Sequence, residues 1–261
     1  MLRAFSTSAT GMTAQQMNID IIANNLANIN TTGFKRSQID FKDLIYVKQQ
    51  EFGTEIYSGT NSPGGIETGS GVRPAATIKV FSAGEMQNTA RDLDVAIRGD
   101  GFFQVTMPDG SLRYTRDGSF QINGLGQLVT STGYLLEPSI SVPIDSTGIE
   151  IGVDGSVNVR DTSGTMSVVG TIQLVRFANP AGLSSEGDNL YSETMASGTP
   201  TTGTAGQNGF GTLQSGFLEK SNVQMVTELV NLITAQRAYE INSRAIKAGD
   251  DMLRTANNLV T

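Results

Sequence analysis

Asp-Gly-Ser occurs three times in the chain, at Asp109, Asp117 and Asp154, and is the motif that most resembles a metal site. Aspartates on a short loop can bind calcium when further carboxylates follow at ligand spacing. None of the three repeats supplies them. Asp and Gly together satisfy the geometry of tight turns, so we predict three turns and no metal site.

Asp92, Asp94 and Asp100 form a looser carboxylate group that could serve acid–base chemistry. We interpret them as solvated turn residues. The chain has no His, which removes the commonest acid–base group at neutral pH. Nucleotide-binding loops and the Gly-x-Ser-x-Gly elbow are absent, and Gly99-Asp100-Gly101 lacks a third glycine at the required place. We therefore predict no catalytic residue, no cofactor and no metal.

Composition excludes several other classes. The 261 residues carry a net charge of −7, and only 16% of them are charged. Nucleic-acid binding requires Lys and Arg concentrated on one face, so we expect none. No segment reaches the roughly 18 apolar residues of a transmembrane helix, and we expect no membrane insertion. The first residues lack the apolar core of a secretory signal peptide.

Glycine and proline divide the chain into three parts. Glycine accounts for 2 of residues 1–45, 27 of residues 46–221 and 1 of residues 222–261, and all seven prolines lie between Pro63 and Pro200. Because these residues break helices and form turns, we predict an α+β fold with a long helix at each end and an antiparallel β-rich centre.

Both predicted helices carry apolar residues spaced seven apart, which is typical of a coiled-coil-like seam. The first helix runs from about Leu2 to Ile29 and the second from about Asn222 to Leu259. We predict that the assembly core is formed by Phe5, Met12, Ile19 and Leu26 of the first helix, with Met225, Leu232, Tyr239, Ile246 and Leu253 of the second. A second stripe on the C-terminal helix, which includes Ile241 and Met252, indicates more than one neighbour.

Alternating apolar residues predict the strands of the centre. Phe103 and Val105 lead through a turn to Leu112 and Tyr114, and similar pairs follow as far as Phe177. Residues 46–71 are polar and Gly-rich, and we interpret them as a long extension. Residues 195–212 are interpreted as a second loop. The predicted domains are 1–34 with 222–261 (helical core), 35–71 (linker and extension) and 72–221 (outer β domain).

Several continuous segments of the chain form recognisable signatures. The N-terminal signature comprises Asn24, Asn25, Leu26, Ala27, Asn28, Thr32, Gly33 and Phe34, followed by Lys35-Arg36. The C-terminal signature includes Gln236, Arg237 and Tyr239. Between them lie Gly99-Asp100-Gly101-Phe102-Phe103 and Tyr114-Thr115-Arg116-Asp117-Gly118-Ser119-Phe120. Together these segments resemble the bacterial flagellar rod and hook family. The resemblance covers the whole chain, and its length and residues 46–71 are most similar to the distal rod members.

The resemblance implies a structural protein that transmits torque from the motor to the hook. It implies an open helical homopolymer in the basal body, spanning the periplasm, and export by the flagellar type III apparatus without a cleaved signal peptide. The implied partners are proximal rod proteins, the hook protein, and the L-ring and P-ring proteins. A proximal rod subunit is the alternative within the family. A periplasmic glycan hydrolase and a surface adhesin are more remote alternatives.

Overall fold

The computed structural model describes residues 2–52, 55–57, 60–61, 64–143 and 145–258. It contains two compact units. The first is drawn from Met1–Leu26, Ser37–Ile78 and Met225–Thr261, and the second from Ala27–Arg36 and Lys79–Gln224. The predicted α+β class, with a helix at each end and a β-rich centre, is confirmed. The predicted division into domains stays a prediction.

Two long helices form the main part of the first unit. Helix α1 covers Leu2–Ala27 and α2 covers Met225–Asn258, 26 and 34 residues respectively. These bounds lie within three residues of those predicted, apart from Leu259, which lies outside the described residues. At 1.5 Å per residue the helices are about 40 and 50 Å long. Within the described residues, no helix is long and apolar enough to cross a membrane.

The two helices run antiparallel in the first unit, as two glycines show. A Cβ on Gly11 would lie 3.0 Å from Nδ2 of Asn242, and one on Gly249 would lie 2.8 Å from Cζ of Phe5. An early residue of α1 therefore faces a late residue of α2. Because glycine has no side chain, the helices approach closely at these two points.

The remaining chain of the first unit forms paired strands. They are β1 (Ser37–Asp43), β2 (Val47–Gln50), β3 (Glu55–Tyr57), β4 (Thr60–Asn61), β5 (Ile66–Thr68) and β6 (Val72–Lys79). β1 pairs with β6, and antiparallel pairs form between β2 and β5 and between β3 and β4. The segment interpreted from sequence as an extension is thus a nested antiparallel hairpin.

The second unit is the β body. Its strands are β7 (Met86–Asn88), β8 (Val95–Arg98), β9 (Phe102–Thr106), β10 (Leu112–Thr115), β11 (Phe120–Ile122), β12 (Leu128–Thr130), β13 (Leu135–Glu137), β14 (Ser146–Ile151), β15 (Ser156–Asp161), β16 (Met166–Thr171), β17 (Gln173–Arg176), β18 (Ser184–Gly187), β19 (Leu190–Ser192), β20 (Thr201–Thr204), β21 (Thr212–Ser215) and β22 (Phe217–Glu219). A 3-10 turn covers Pro180–Gly182.

Nine of these strands form one sheet around β9. The order is β11-β12-β13-β9-β10-β19-β18, with β17 pairing to both β9 and β20. Strands β14, β15 and β16 form a separate antiparallel sheet, and β21 pairs with β8 and β22 with β7. The interpretation of residues 195–212 as a loop was wrong in part, because β20 pairs along its whole length with β17.

Alternation along β9 separates two apolar clusters. Phe103 packs with Phe120 and Leu174 in the larger cluster, whereas Phe102 packs with Tyr114 and Phe177 in the smaller one. Successive side chains of a strand point to opposite faces, so adjacent phenylalanines serve different clusters.

The predicted turns at Asp109 and Asp154 are confirmed, whereas the one at Asp117 was wrong, because Asp117-Gly118-Ser119 makes no backbone turn and Ser119 pairs with Asp94. Oδ1 of Asp109 accepts the backbone N–H of Ser111 at 2.8 Å, Asp154 accepts that of Ser156 at 3.1 Å, and Asp117 accepts that of Ser119 at 3.1 Å. Such side-chain bonds to the backbone two residues on stabilise tight turns.

The acidic group around Asp94 differs from the prediction. Asp94 is buried rather than solvated, with Oδ1 at 3.6 Å from Nη1 of Arg91. Asp92 and Asp100 are exposed, as predicted. Among the described residues, no group of three or more acidic side chains could hold a metal ion.

Candidate functional site: assembly surfaces and the buried ion cluster

The residues on the inward-facing side of α2 are either small or polar. Glu228, Ala235 and Gly249 are buried and Asn242 is half-buried, and the four are spaced seven apart. This inner line lies three residues after each position of the predicted apolar stripe. Because a heptad seam alternates spacings of three and four, the predicted residues flank the inner line.

The predicted seam residues accordingly have intermediate exposure. On α1 all four predicted residues are half-buried. On α2, Leu232 and Ile246 are half-buried, while Met225 (52%), Tyr239 (39%) and Leu253 (39%) are exposed. Over the parts of α1 and α2 that the structure describes, the predicted residues do not form a continuous buried seam in the isolated chain.

The outer side of α2 is aliphatic over its first half. Val226, Val230 and Ile233 are 75%, 56% and 50% exposed, and Ile241 farther along is 66% exposed. The 3.6-residue period places these residues opposite the inner line. An aliphatic helix face left in water is typical of a surface that another protein covers.

The hairpin of residues 46–71 also exposes apolar side chains. Ile45, at its base, is 85% exposed, Tyr46 is 50%, Phe52 is 62% and Ile66 is 53% exposed. The described side chains of the hairpin therefore leave apolar surface available for contact.

In the β body, a buried ion pair joins the segment that follows α1 to the segment that precedes α2. Nζ of Lys35 lies 2.5 Å from Oε1 of Glu219 and also donates to the carbonyl of Ser82 at 2.8 Å. The side chains of Lys35 and Glu219 are 0% and 1% exposed. The same Oε1 accepts the backbone N–H of Gly84 at 2.8 Å. Desolvation by burial lowers the pKa of Lys35, and the Glu219 charge opposes that shift.

Arg116 adds a second cation to this cluster. Its Nη1 lies 3.6 Å from Oε2 of Glu219, and its Cζ lies 5.2 Å from the centre of the Phe102 ring. Gly33 allows its own backbone to lie against the backbone of Arg116 and Asp117. Its φ is +69°, and a Cβ there would lie 2.7 Å from the backbone nitrogen of Asp117.

Two asparagines bond backbone groups of the segment that follows α1, each within its own unit. In the first unit, Asn25 accepts the N–H of Ser37 and donates to its carbonyl, both at 2.8 Å. In the second, Asn222 accepts the N–H of Arg36 at 2.8 Å and donates to the carbonyl of Val80 at 2.7 Å. Asn25 thereby substitutes for a neighbouring strand, whereas Asn222 joins two segments of backbone.

The predicted N-terminal signature residues separate by burial. Asn25, Gly33 and Phe34 are buried, Leu26, Asn28 and Thr32 are half-buried, and Asn24 and Ala27 are exposed. The carbonyl of Thr32 accepts Nδ2 of Asn189, and the ammonium of Lys79 lies over the Phe34 ring. Of the C-terminal signature, Gln236, Arg237 and Tyr239 are all exposed.

Carboxylates with shifted pKa values do not form an acid–base site. Hydrogen bonds from Ser111 lower the pKa of Asp109, those from Ser156 lower that of Asp154, and an Arg113 hydrogen bond lowers that of Glu186. All three carboxylates are exposed on turns or a strand edge. A glycosidase acid requires the opposite shift, a raised pKa.

Sequence reasoning missed the residues that make the cluster and the close helix contacts. Lys35 and Arg116 stand inside signature segments, but Glu219 has no local signal and lies 184 residues from Lys35. Gly11 and Gly249 have the residue type of a helix breaker, yet each lies where α1 and α2 come into contact. Isolated glycines in otherwise helical segments could have indicated close approach.

Comparison with known proteins relates three parts of the chain to flagellar families. Residues 5–35 match the family described as flagella basal body rod protein, and residues 96–159 match the flagellar hook protein FlgE/F/G D1 domain. Residues 214–259 match the flagellar basal body rod FlgEFG protein C-terminal family.

Similarity to curated proteins extends over nearly the whole chain. A flagellar basal-body rod protein FlgG of Buchnera aphidicola subsp. Schizaphis graminum is 48% identical over 99% of this chain and 100% of its own length. The FlgG of Borreliella burgdorferi is 50% identical over 99% of each chain. The FlgG of Bacillus subtilis is 38% identical over 99% of each chain.

Proposed function

Because the chain belongs to the flagellar basal-body rod protein family, we propose that it is a subunit of the distal rod, the shaft that transmits torque from the motor to the hook. The observation that carries this proposal is the aliphatic outer side of α2, with Val226 75% exposed. Relatives named as rod proteins are structural and not enzymes, in keeping with a mechanical role.

The shaft would be an open helical homopolymer. Such a polymer requires a heterologous interface that repeats without closing. Terminal helices, comprising residues 1–34 and 222–261, would form its core, and residues 72–221 its outer β domain. The predicted seam residues, such as Leu232 and Ile246, would complete a coiled-coil-like core by packing against neighbouring copies. Their intermediate exposure in the isolated chain supports this proposal.

Residues 35–71 would link these domains, with the hairpin at about 46–71 stiffening the rod. The exposed side chains of Tyr46, Phe52 and Ile66 support this role, since they leave apolar surface for a neighbouring subunit. Removing residues 46–71 should leave a polymer that bends. Straight, stiff rods from the deletion variant in electron micrographs would contradict the role.

The proposed partners follow the position of a distal rod. Proximal rod proteins would lie below, the hook protein above, and the L-ring and P-ring proteins around the shaft in the periplasm. The flagellar type III apparatus would export the chain without signal cleavage.

Negative-stain microscopy of the purified full-length chain tests the polymer. Wild type should form rods, while Leu232→Asp and Ile246→Asp should not, because each buries a charge at a helix contact. Asn231→Asp, at an exposed polar position on the same helix, should assemble. Circular dichroism should show an intact β body in every variant. Wild-type protein that never forms rods would count against the proposal.

A further inference from the structure

The outer side of α1 differs in kind from that of α2. Ala9, Thr13, Gln16, Asp20 and Ala23 follow one another at spacings of four and three, and all five are exposed. The helical period places them roughly opposite Gly11, where α1 meets α2. Apart from Met17 at its edge, which is 45% exposed, the outer side of α1 is thus a shallow face of small and polar residues with one carboxylate.

The outer side of α2 has complementary size and charge over the same length. Val226, Val230, Ile233 and Arg237 repeat the spacing of four and three, and all are exposed. The aliphatic residues project, whereas the alanines of α1 leave room. Arg237 has no ion pair among the residues that the structure describes, and the same holds for Asp20.

The two outer faces also lie at the same level along the antiparallel pair of helices α1 and α2. Gly11 faces Asn242. Twelve residues farther along α1 is Ala23, and twelve residues back along α2 is Val230, so the same rise of about 18 Å separates each from the Gly11–Asn242 contact. Asp20 and Ile233 each lie nine residues from that contact and are therefore at the same level. Arg237 lies four residues, or about one helical turn, from Ile233.

We propose that the aliphatic outer face of α2 in one copy packs on the small outer face of α1 in a laterally adjacent copy, with Arg237 paired to Asp20 of that copy. This inference rests on the proposed polymerisation and names the surfaces that mediate one contact within it. Large side chains of one helix enter the spaces between small side chains of the other, as ridges enter grooves.

The arrangement explains why the assembly does not stop at a pair. The contact joins two different surfaces of the chain, so every copy keeps one unused face of each kind. Heterologous contacts of this type add subunits without closure unless the rotation completes a ring.

Cysteine cross-linking tests the contact directly, since the chain has no cysteine of its own. Ala23→Cys and Val230→Cys are made in separate full-length chains, which are mixed, assembled into rods and oxidised with copper phenanthroline. A disulfide between the two variants can form only between copies, and it requires Cα atoms about 4.4–6.8 Å apart. The mixture should give a disulfide-linked dimer that neither variant gives alone.

Matched controls separate this inference from the function on which it rests. Asp251→Cys, also exposed on α2 but several turns away, should not cross-link to Ala23→Cys. Rods without the mixed dimer, or with Val230→Cys linking only to itself, would overturn the proposed contact while leaving polymerisation intact. Failure of wild-type protein to form rods would remove both.

Charge reversal gives a second test that needs no cysteine. Arg237→Glu and Asp20→Arg should each slow rod elongation by roughly tenfold at low salt, because like charges then meet at the contact. The double variant should recover most of the wild-type rate. A double variant no faster than the slower single variant would refute the pairing of Arg237 with Asp20.

Discussion

Replacing Glu219 tests whether the buried ion cluster holds the β body together. Glu219→Gln keeps the shape of the side chain and an acceptor for the Gly84 N–H, but it removes the only carboxylate within 4.0 Å of Lys35 and Arg116 among the described residues. Both cations are nearly inaccessible to water, and Lys35 would be left without a counter-charge while Arg116 would keep only the more distant charge of Asp100. Breaking a buried pair in this way costs about 3–5 kcal/mol.

Lys35→Met is the informative partner of that experiment. It removes one cation, and the remaining Arg116 still balances the charge of Glu219 at 3.6 Å. Glu219 also keeps the hydrogen bond from Gly84. The carbonyl of Ser82 loses the bond from Lys35 and keeps the longer one from Nδ2 of Asn222 at 3.3 Å, so we expect a smaller cost of about 1–3 kcal/mol.

Urea unfolding of each variant, followed by far-ultraviolet circular dichroism, measures both costs. The midpoint should fall while the slope with denaturant stays constant, since the surface exposed on unfolding does not change. A double variant should cost less than the sum of the single ones, because the two side chains share one interaction. The reasoning is refuted if Glu219→Gln costs less than Lys35→Met.

Three further outcomes can be measured by unfolding. Burial raises the pKa of Tyr191 to about 12 from an ordinary 10.0, so the unfolded chain releases this proton first and stability should fall between pH 10 and 12; Tyr191→Phe should remove that loss, and an unchanged pH profile would count against it. Gly33→Ala should cost about 2–3 kcal/mol from its positive φ and the backbone clash, whereas Gly124→Ala, where a Cβ would meet nothing within 4 Å, should be nearly neutral; equal effects would contradict the argument. Asn25→Ala should cost about 1–3 kcal/mol because both backbone groups of Ser37 lose their partner, and a neutral result would show that water replaces the amide.

Local features of the sequence determined the outline of this protein. Long segments almost free of glycine and proline can continue a helix, and both ends of α1 and the start of α2 lie within three residues of the predicted positions. Asp-Gly-Ser determines a turn through bonds that span only two residues, so Asp109 and Asp154 could be interpreted without the fold. The signature segments indicated the family for the same reason, since each is continuous in the chain.

Tertiary structure alone decided which residues meet. The Lys35–Glu219 pair joins residues 184 apart, and no local pattern predicts that a lysine will be buried. Strand β20, which is rich in Thr and Gly and lacks apolar alternation, forms because β17 offers it a backbone edge. The inner side of α2 is small and polar because Gly11 and Gly249 bring the two helices close together, which leaves no room there for the larger residues of α2. Those larger residues face outward, and the period of one chain does not say whether another chain covers them.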